Sequence, residues 1–448
     1  MSNYTARRTP VHRGPAAWSA ILPGQDAPVE LDADVSADVV IIGAGFAGLS
    51  AARRISQLAP QAQITVLEAG RIAEGASGRN SGFMIDLPHE LSAEGYAVQG
   101  ANSDSTMIAL NRQAMAFAKA AVQAYSINPA YFDPAGKVNG AVGAKGDDHN
   151  RSYAKHLSTL GEVSEMLDSK AMFELTGSRH YVSGLFTPGT TMLQPAGYVR
   201  GLARGLRRDG VTIYENAPVL KVDQDGNGWT LATAKHRVSA DKVIIANNGH
   251  LESFGFAEQR LMHIFLYASM TVDLSGEALK KLGGQPRWGI TPSDPMGTTM
   301  RRIDTAQGGN RIITRTCASF LPDMEVSEAA LQRTAKVHRE KFNQRFPALN
   351  DIAMEYTWAG HLCLSRNGVA VMRELDQNLF SACVQNGLGT ARGTLTGIGA
   401  AELVCGVTSD ITQYFTAEAE PTRLPPPPIS TIGANLFLRW QEWKAGNE

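Results

Sequence analysis

The stretch that decides the fold is DVVIIGAGFAGLSAARRI, residues 38–55. It opens with a run of apolar β-forming residues, which predicts a buried strand. Gly43, Gly45 and Gly48 follow in the pattern GxGxxG, the fingerprint of a dinucleotide-binding turn between a strand and a helix. The first glycine allows the tight turn, the second lets the backbone approach a pyrophosphate, and the third lets helix and strand pack closely. Alone, this pattern leaves NAD, NADP and FAD as alternatives.

The residues around these glycines complete a strand–helix–strand unit. Residues 46–58 carry apolar side chains on one face of a predicted helix, and ITVLE, residues 64–68, predicts the next strand. The N–H groups in the first turn of such a helix, where Ala47 lies, face the phosphates of a bound dinucleotide. Glu68 ends the second strand, where an acid accepts hydrogen bonds from ribose hydroxyls and disfavours a 2′-phosphate. NADP is therefore the least favoured of the three.

A second glycine-rich and polar loop decides between NAD and FAD. GASGRNSGFM, residues 75–84, follows directly after the predicted ribose acid. An NAD domain has no need of such a loop, whereas an extended FAD continues past its pyrophosphate and needs donors for its ribityl chain and ring. Ser77, Arg79, Asn80 and Ser81 are the candidate donors. We therefore expect FAD as the cofactor.

A glycine-rich segment late in the chain supports the same choice. NGLGTARGTLTGIGAAELV, residues 386–404, predicts a loop that leads into a helix, with Gly387, Gly389 and Thr390 at its start. Two-electron reduction of a flavin leaves negative charge on N1 and O2. A helix N-terminus with free N–H groups stabilises that charge and raises the flavin potential.

Composition and charge argue against several other classes of protein. The chain has 448 residues, with 42 Lys and Arg against 43 Asp and Glu, so no net field recruits nucleic acid or an anionic membrane. Its N-terminal residues lack the apolar run of a signal peptide or membrane anchor. The four cysteines show no metal-binding spacing. We expect a cytoplasmic protein of one large or two smaller domains, with reduced thiols and without a metal site, a membrane span or a nucleic-acid partner.

Together, the fingerprint, Glu68 and GASGRNSG resemble the D-amino-acid-oxidase-like superfamily of FAD-dependent oxidoreductases. Within it, the chain is most similar to the branch that contains bacterial gamma-glutamylputrescine oxidase, from about residue 38 to residue 404. The resemblance implies an α/β fold, in which a Rossmann-like FAD-binding domain is interleaved with a substrate domain built on a mostly antiparallel sheet with flanking helices. In APVLKV, it places the backbone of Val219 against the adenine.

The resemblance also implies how the domains are arranged along the chain. The expected parts are an N-terminal arm at 1–37, a discontinuous FAD-binding domain at 38–85, 190–255 and 355–415, a substrate-binding domain at 86–189 and 256–354, and a C-terminal tail at 416–448. Periodicity predicts further helices at 107–125, 155–167 and 327–346.

In this superfamily, the flavin takes a hydride from the carbon next to an amine, and the imine then hydrolyses. Because the cofactor carries the redox chemistry, no acid or base residue is required, and we assign none. The candidates for the substrate pocket are Met84 with its neighbour Phe83, His263, Tyr267, Trp358 and His361. Arg301 and Arg302 lie either in a carboxylate-binding site or on a solvated strand edge.

One departure from the superfamily concerns the substrate. Relatives that oxidise amino acids carry an arginine just after the segment equivalent to WAG, whereas this chain has His361, Leu362 and Cys363 there. A polyamine, a gamma-glutamylated amine or a related amino compound is therefore favoured over a simple amino acid. Residues 75–82 contain no cysteine or histidine, which predicts non-covalent FAD. An FAD-dependent 2-hydroxy-acid dehydrogenase and a non-catalytic flavoprotein remain alternatives, and the electron acceptor, oxygen or another, and the oligomeric state stay open.

Overall fold

The computed structural model describes residues 2–87, 100–294, 296–426 and 428–448, which contain three β-sheets with helices packed against them. The strands are β1 (Asn3–Thr5), β2 (Val35–Ile42), β3 (Ile64–Leu67), β4 (Phe83–Met84), β5 (Phe132–Asp133), β6 (Lys137–Ala141), β7 (Glu165–Asp168), β8 (Ser183–Thr187), β9 (Thr191–Leu193), β10 (Thr212–Tyr214), β11 (Lys221–Asp225), β12 (Gly228–Ala232), β13 (Arg237–Ile245), β14 (Leu261–Thr271), β15 (Trp288–Pro292), β16 (Thr299–Ile303), β17 (Arg311–Phe320), β18 (Met354–Ser365), β19 (Val371–Asp376) and β20 (Leu379–Cys383). The α-helices are α1 (Ala17–Ala20), α2 (Phe46–Leu58), α3 (Gly100–Ala124), α4 (Ala144–Thr159), α5 (Ser169–Thr176), α6 (Pro195–Arg208), α7 (Gly276–Leu282), α8 (Glu328–Arg345), α9 (Ala391–Val404), α10 (Asp410–Thr416) and α11 (Ile429–Ala445).

The nine-stranded sheet carries the dinucleotide fingerprint. Its order is β1-β11-β12-β13-β2-β3-β10, and β20 also pairs with β13. The strands β13, β2, β3 and β10 run parallel to one another, whereas β12 pairs with β13 in the antiparallel sense, and α2 makes the crossover between β2 and β3. The last four residues of β2, Val39–Ile42, are buried, as expected for a central parallel strand covered on both faces. The predicted strand–helix–strand unit is confirmed, and α2 has the predicted bounds.

The eight-stranded sheet runs in the order β18-β14-β17-β16-β15-β6-β8-β7 and is antiparallel except between β15 and β6. One face packs toward the nine-stranded sheet, because Met270, Ile313 and Trp358 belong to the same buried cluster as Ile41 and Leu49. The opposite face, which is covered in part by α8, we call the outer face. The fold class expected from the sequence, an α/β fold with a second, mostly antiparallel sheet, is confirmed.

Two local features differ from the sequence expectations. The helix predicted at residues 155–167 is wrong in its second half, because α4 ends at Thr159 and residues Glu165–Asp168 form β7. Gly161, with a φ of +73°, lies in the left-handed region just after the helix end. In addition, β18 belongs to the eight-stranded sheet, whereas the expected domain boundary at residue 355 groups nearly all of it with the FAD-binding domain.

The termini contribute more structure than expected. In the N-terminal arm, β1 pairs with β11, and Trp18 is fully buried with its indole Nε1 donating to the carbonyl of Asn80 at 2.8 Å. In the tail, α11 extends over 17 residues. No helix in the described part of the chain is long and apolar enough to cross a membrane.

Candidate functional site

A cavity of about 970 Å³ lies between the two large sheets. On one side it is lined by residues that follow β2, β3 and β13, among them Gly43, Glu68 and Ala246. On the other side it is lined by residues on the inner face of the eight-stranded sheet, such as Ala268 and Thr299. Because the carboxyl ends of parallel strands meet at one edge of a sheet, this is the position in which an open α/β sheet binds its ligand. The volume is at the upper end of the range for small-molecule sites.

The three glycines of the fingerprint differ in what surrounds them. Gly43 has a φ of +108°, and a Cβ there would lie 2.8 Å from the carbonyl oxygen of Ala246. A Cβ at Gly48 would lie 1.8 Å from the carbonyl oxygen of Gly43, so this glycine lets α2 pack against its own turn. A Cβ at Gly45 would meet nothing closer than the side chain of Ser77 at 3.6 Å, and Gly45 lines the cavity. The backbone is therefore open to a ligand at Gly45.

Glu68 lies beside this turn and also lines the cavity. Its carboxylate accepts hydrogen bonds from the backbone N–H of Ala44 at 2.8 Å and of Gly70 at 3.2 Å. Burial raises the pKa of Glu68, and these backbone donors act in the opposite direction. The two bonds hold the carboxylate in place at the position where a ribose diol would be recognised.

The loop of residues 75–82 is held by its own polar side chains. Arg79 donates to the carbonyl oxygens of Glu74, Arg13, Ala359 and Gly14, which uses four of the five N–H groups of a guanidinium. The expected role of its side chain as a ribityl donor is thus largely replaced by a role in positioning the loop.

Asn80 also closes this loop, while Ser77 leaves its hydroxyl free. The amide of Asn80 donates to the carbonyls of Ala76 and Ser77 and accepts from the N–H of Gly82. Within the described residues, the hydroxyl of Ser77 makes no hydrogen bond, and Ser77 lines the cavity. Ser77 is therefore the side chain of this loop that is best placed to donate to a ligand.

The N-terminus of α9 also faces the cavity. Gly387, which has a φ of +84°, and Gly389 both line the cavity, and an added Cβ at either would meet no atom within 4 Å. Thr390 donates from its hydroxyl to the carbonyl of Phe83 at 2.8 Å. A Cβ at Gly397 would lie 2.1 Å from the carbonyl of Ala47, so α9 packs closely against α2. Two helices thus direct their N-terminal N–H groups toward one cavity.

These features fit an extended flavin dinucleotide. Open backbone at Gly45 suits a pyrophosphate, Glu68 suits a ribose, and the start of α9 suits an electron-accepting ring. The expected cofactor-contact residues that line the cavity are Gly43, Gly45, Ala47, Glu68, Ser77, Arg79, Asn80, Ser81, Val219, Gly387, Gly389 and Thr390. Gly48 does not line the cavity, because it packs against the carbonyl of Gly43 on the inside of the turn.

The structure divides the expected substrate-pocket residues into two groups. Tyr267, Trp358 and His361 line the cavity, as does Phe83, whereas Met84 does not and is buried in the main core. The indole Nε1 of Trp358 donates to the carbonyl of Arg79 at 2.9 Å. The hydroxyl of Tyr267 donates to Ser319 Oγ at 3.1 Å, and both side chains are buried. The indole N–H of Trp358 and the hydroxyl of Tyr267 therefore donate to groups within the protein and are not free to donate to a ligand.

His263 lies behind His361 rather than on the cavity. Its Nδ1 is 3.2 Å from Nε2 of His361, and its Nε2 is 2.5 Å from the carboxylate of Glu252. Burial, with smaller contributions from His250 and His263, lowers the pKa of His361 well below its ordinary value. The imidazole of His361, which lines the cavity, is therefore neutral at physiological pH.

Neither arginine suggested by the sequence reaches the cavity. Arg301 is buried, stacks over Trp18 with its Cζ 4.9 Å from the ring centroid, and donates to the carbonyl of Ser81. Arg302 donates to the carbonyl of Gly283. Both arginines thus hold the eight-stranded sheet to its neighbouring segments.

Sequence reasoning missed several polar residues that line the cavity from the eight-stranded sheet. These are Lys137 and Asn139 on β6, Thr291 on β15, Thr299 on β16 and Arg315 on β17. They are spread over almost 180 residues of sequence and belong to no local motif, so only the pairing of the strands brings them together. No group of three or more metal-binding side chains occurs among the described residues.

Comparison with known proteins gives a consistent picture. The profile of the DAO family, described as FAD dependent oxidoreductase, matches residues 38–403. The probable oxidoreductase OrdL of Rhizobium meliloti (strain 1021) is 23% identical over 411 residues, which cover 90% of this chain and 91% of that protein. The gamma-glutamylputrescine oxidoreductase of Escherichia coli (strain K12) is 23% identical over 392 residues, which cover 84% and 85% of the two chains.

A solved structure supports the fold independently. The glycine oxidase of Geobacillus kaustophilus superposes with a TM-score of 0.70 at 16% sequence identity, over 87% of this chain and 100% of that chain. At this identity the likeness concerns the fold.

Proposed function

Since the chain belongs to the DAO family of FAD-dependent oxidoreductases, which act on amines or amino acids, we propose that it oxidises the C–N bond of a polyamine, a gamma-glutamylated amine or a related amino compound. The similarity to a gamma-glutamylputrescine oxidoreductase supports this class.

The observation that carries the proposal is the meeting of three features at one cavity. The start of α2, the start of α9 and the inner face of the eight-stranded sheet all line it. A cofactor held along the two helix starts thus has the sheet face opposite it, with space between them for a small molecule. We further propose that residues packed on the nine-stranded sheet form the FAD-binding domain and that the eight-stranded sheet, including β18, forms the substrate domain.

Bound FAD supplies the hydride acceptor, and the imine product then reacts with water. The chain itself binds and orients. The N–H groups at the start of α9 stabilise the negative charge that reduction places on the cofactor. Apolar residues on the cavity wall, Phe83, Leu266 and Leu362, limit bulk water around the reacting carbon. Because the pKa of His361 is lowered, its imidazole is neutral and adds no positive charge beside the bound substrate.

An anaerobic screen of flavin reduction tests the proposal. Purified holoenzyme is mixed with polyamines, gamma-glutamylated amines, N-methyl amino acids, D-amino acids and 2-hydroxy acids, and bleaching of the visible flavin absorption band is followed by stopped flow. Bleaching by amines but not by 2-hydroxy acids is the expected result. Bleaching by 2-hydroxy acids alone would replace the proposal with a hydroxy-acid dehydrogenase, and no bleaching by any compound would favour a non-catalytic flavoprotein.

We also propose that the FAD is held without a covalent bond. No cysteine lies among the described residues that line the cavity, and the loop of residues 75–82 contains neither cysteine nor histidine. Precipitation with acid should release all of the yellow cofactor into the supernatant. Flavin that remains with the precipitated protein would contradict this part of the proposal.

A further inference from the structure

A row of side chains crosses the inner face of the eight-stranded sheet. Ala268 on β14 pairs with Arg315 on β17, and Arg315 pairs with Thr299 on β16. The register between β16 and β15 continues this row to Thr291, which pairs with Asn139 on β6. All five residues line the cavity. Since adjacent strands lie about 5 Å apart, the polar members form one continuous wall.

Arg315 is the charged member of this row. Within the described residues, its guanidinium makes no hydrogen bond and no ion pair, although it lines the cavity. The neighbouring Thr299 also has no hydrogen-bond partner for its side chain in the described part of the chain. Burial lowers the pKa of Arg315 to about 10, so the guanidinium still carries its charge at neutral pH. An unpaired cation in such a place is costly unless a ligand compensates it.

The charge around Arg315 favours an anion as that ligand. Lys137, two residues before Asn139 on β6, is a second cation on this wall and donates to Asn139 Oδ1 and to Thr291 Oγ1 without forming an ion pair. Glu68 is the one carboxylate among the described residues that line the cavity, and backbone N–H groups hold it at the opposite side. Outside the lining, the buried carboxylate of Asp86 lies close enough to raise the pKa of Lys137 and so offsets part of its charge. The uncompensated positive charge on this wall is therefore that of Arg315.

The shape of the donors selects among anions. A guanidinium presents parallel N–H groups that match the two oxygens of a carboxylate, and the hydroxyl of Thr299 on the adjacent strand adds one donor. Arg301 and Arg302 cannot take this role, because their side chains are committed to Ser81, Gln307 and Gly283. One arginine and one hydroxyl suit a monoanionic carboxylate better than a dianionic phosphate, which needs more donors.

We propose that Arg315, with Thr299 beside it, binds a carboxylate of the substrate, so the amine oxidised in this cavity is a carboxylated amine rather than a free polyamine. This inference rests on the proposed function and names the substrate class within it. The expected place for such an arginine, next to His361 on β18, is two strands away from β17 in the sheet. The carboxylate site has thus moved to another strand.

Equilibrium binding to the holoenzyme tests the site without turnover. Glutarate and its neutral counterpart glutaramide are titrated while the flavin absorption spectrum is followed, in the wild type, in Arg315→Met, in Arg315→Lys and in the control Arg302→Met. We expect the Kd for glutarate to rise about 30-fold or more in Arg315→Met and less in Arg315→Lys, which keeps the charge but loses the fork. Glutaramide binding and the control should not change. Because Arg315 has no partner to lose, its variants should melt at the wild-type temperature or above it.

A second experiment measures turnover. The steady-state kcat/KM is compared for gamma-glutamylputrescine and for 4-aminobutanoylputrescine, which lacks only the carboxylate. Arg315→Met should lower kcat/KM for the first by about 30-fold and leave the second within about 3-fold. The inference would be overturned if Arg315→Met lowered kcat/KM equally for both substrates. It would also be overturned if this variant lost FAD but still bound glutarate, or if the wild-type site bound inorganic phosphate and not glutarate. If no amine reduces the flavin, the proposed function fails, whereas glutarate binding that depends on Arg315 still decides the inference.

Discussion

The two sides of the cavity offer different kinds of groups to a ligand. On the side of the nine-stranded sheet, the cavity is lined mainly by backbone, at Gly45 and the start of α9, and by a carboxylate that backbone N–H groups hold at Glu68. On the side of the eight-stranded sheet, it is lined by side chains such as Arg315 and Thr299. Backbone groups keep their chemistry when side chains are substituted, so a fold of this kind can combine one cofactor site with many substrate sites.

The largest effect should come from a substitution at Gly48, because the turn before α2 leaves no space there for a side chain. In Gly48→Ala, the new Cβ would lie 1.8 Å from the carbonyl oxygen of Gly43, a clash between backbone atoms that no side-chain rotation relieves. We expect about 3–5 kcal/mol loss in the free energy of unfolding and protein without FAD. Urea unfolding and the flavin content of purified protein measure both. Gly143→Ala, where an added Cβ meets no atom within 4 Å, is the control and should retain its FAD.

Gly45→Ala should separate cofactor binding from folding. The chain accommodates a Cβ here, since the nearest atom is Ser77 Oγ at 3.6 Å, but the methyl group would occupy the space where the backbone is open to a ligand. We expect about a 100-fold weaker Kd for FAD and an apoprotein as stable as the wild-type apoprotein. Fluorescence titration of apoprotein with FAD gives the Kd. Wild-type affinity in this variant would show that the pyrophosphate does not approach the turn at Gly45.

The side of the cavity formed by the nine-stranded sheet could be predicted from sequence, because its motifs are short and local in the chain. GxGxxG, the acid at Glu68 and the glycines before α9 each lie within a few residues of the backbone that they shape. The other side could not, because Arg315, Thr299 and Asn139 meet only through strand pairing. Arg79 shows that sequence can mislead even within a motif. The motif predicts a donor to the cofactor, whereas the side chain bonds four backbone carbonyls that come from three separate segments of the chain.

A pH effect of intermediate size should come from the outer face of the eight-stranded sheet. His338 on α8 is buried between Ser269 Oγ at 2.7 Å and the carbonyl of Thr316 at 3.2 Å. Burial, aided by Arg315 and Arg333, lowers the pKa of His338 to about 4. The unfolded chain binds this proton below about pH 6.5, whereas the folded chain does not. The stability is therefore complete above about pH 6.5 and falls as the pH drops toward 4.

This pH effect can be isolated by substitution. At pH 5, His338 should cost about 2 kcal/mol of unfolding free energy relative to pH 8, and His338→Gln should remove that part of the pH dependence. Urea unfolding at several pH values measures the slope, and the exposed His149→Gln is the control. An unchanged slope in His338→Gln would mean that His338 is already protonated in the folded protein.

The smallest effect should come from a substitution at Tyr267, on the eight-stranded sheet, because its hydroxyl is bonded within the protein. Tyr267 lines the cavity, yet its hydroxyl donates to Ser319 Oγ at 3.1 Å. In Tyr267→Phe we expect kcat/KM within about 2-fold of wild type and a loss of about 1 kcal/mol in unfolding free energy, the usual worth of one buried hydrogen bond. Ser319→Ala should show the same loss, and the double variant should lose less than the sum, because both changes remove one interaction.

The comparison of these two variants also tests where the hydroxyl of Tyr267 acts. If kcat/KM fell by about 10-fold or more in Tyr267→Phe but stayed unchanged in Ser319→Ala, the hydroxyl would contact the substrate instead of serving only the sheet. The eight-stranded sheet would then recognise its ligand at a second position besides Arg315.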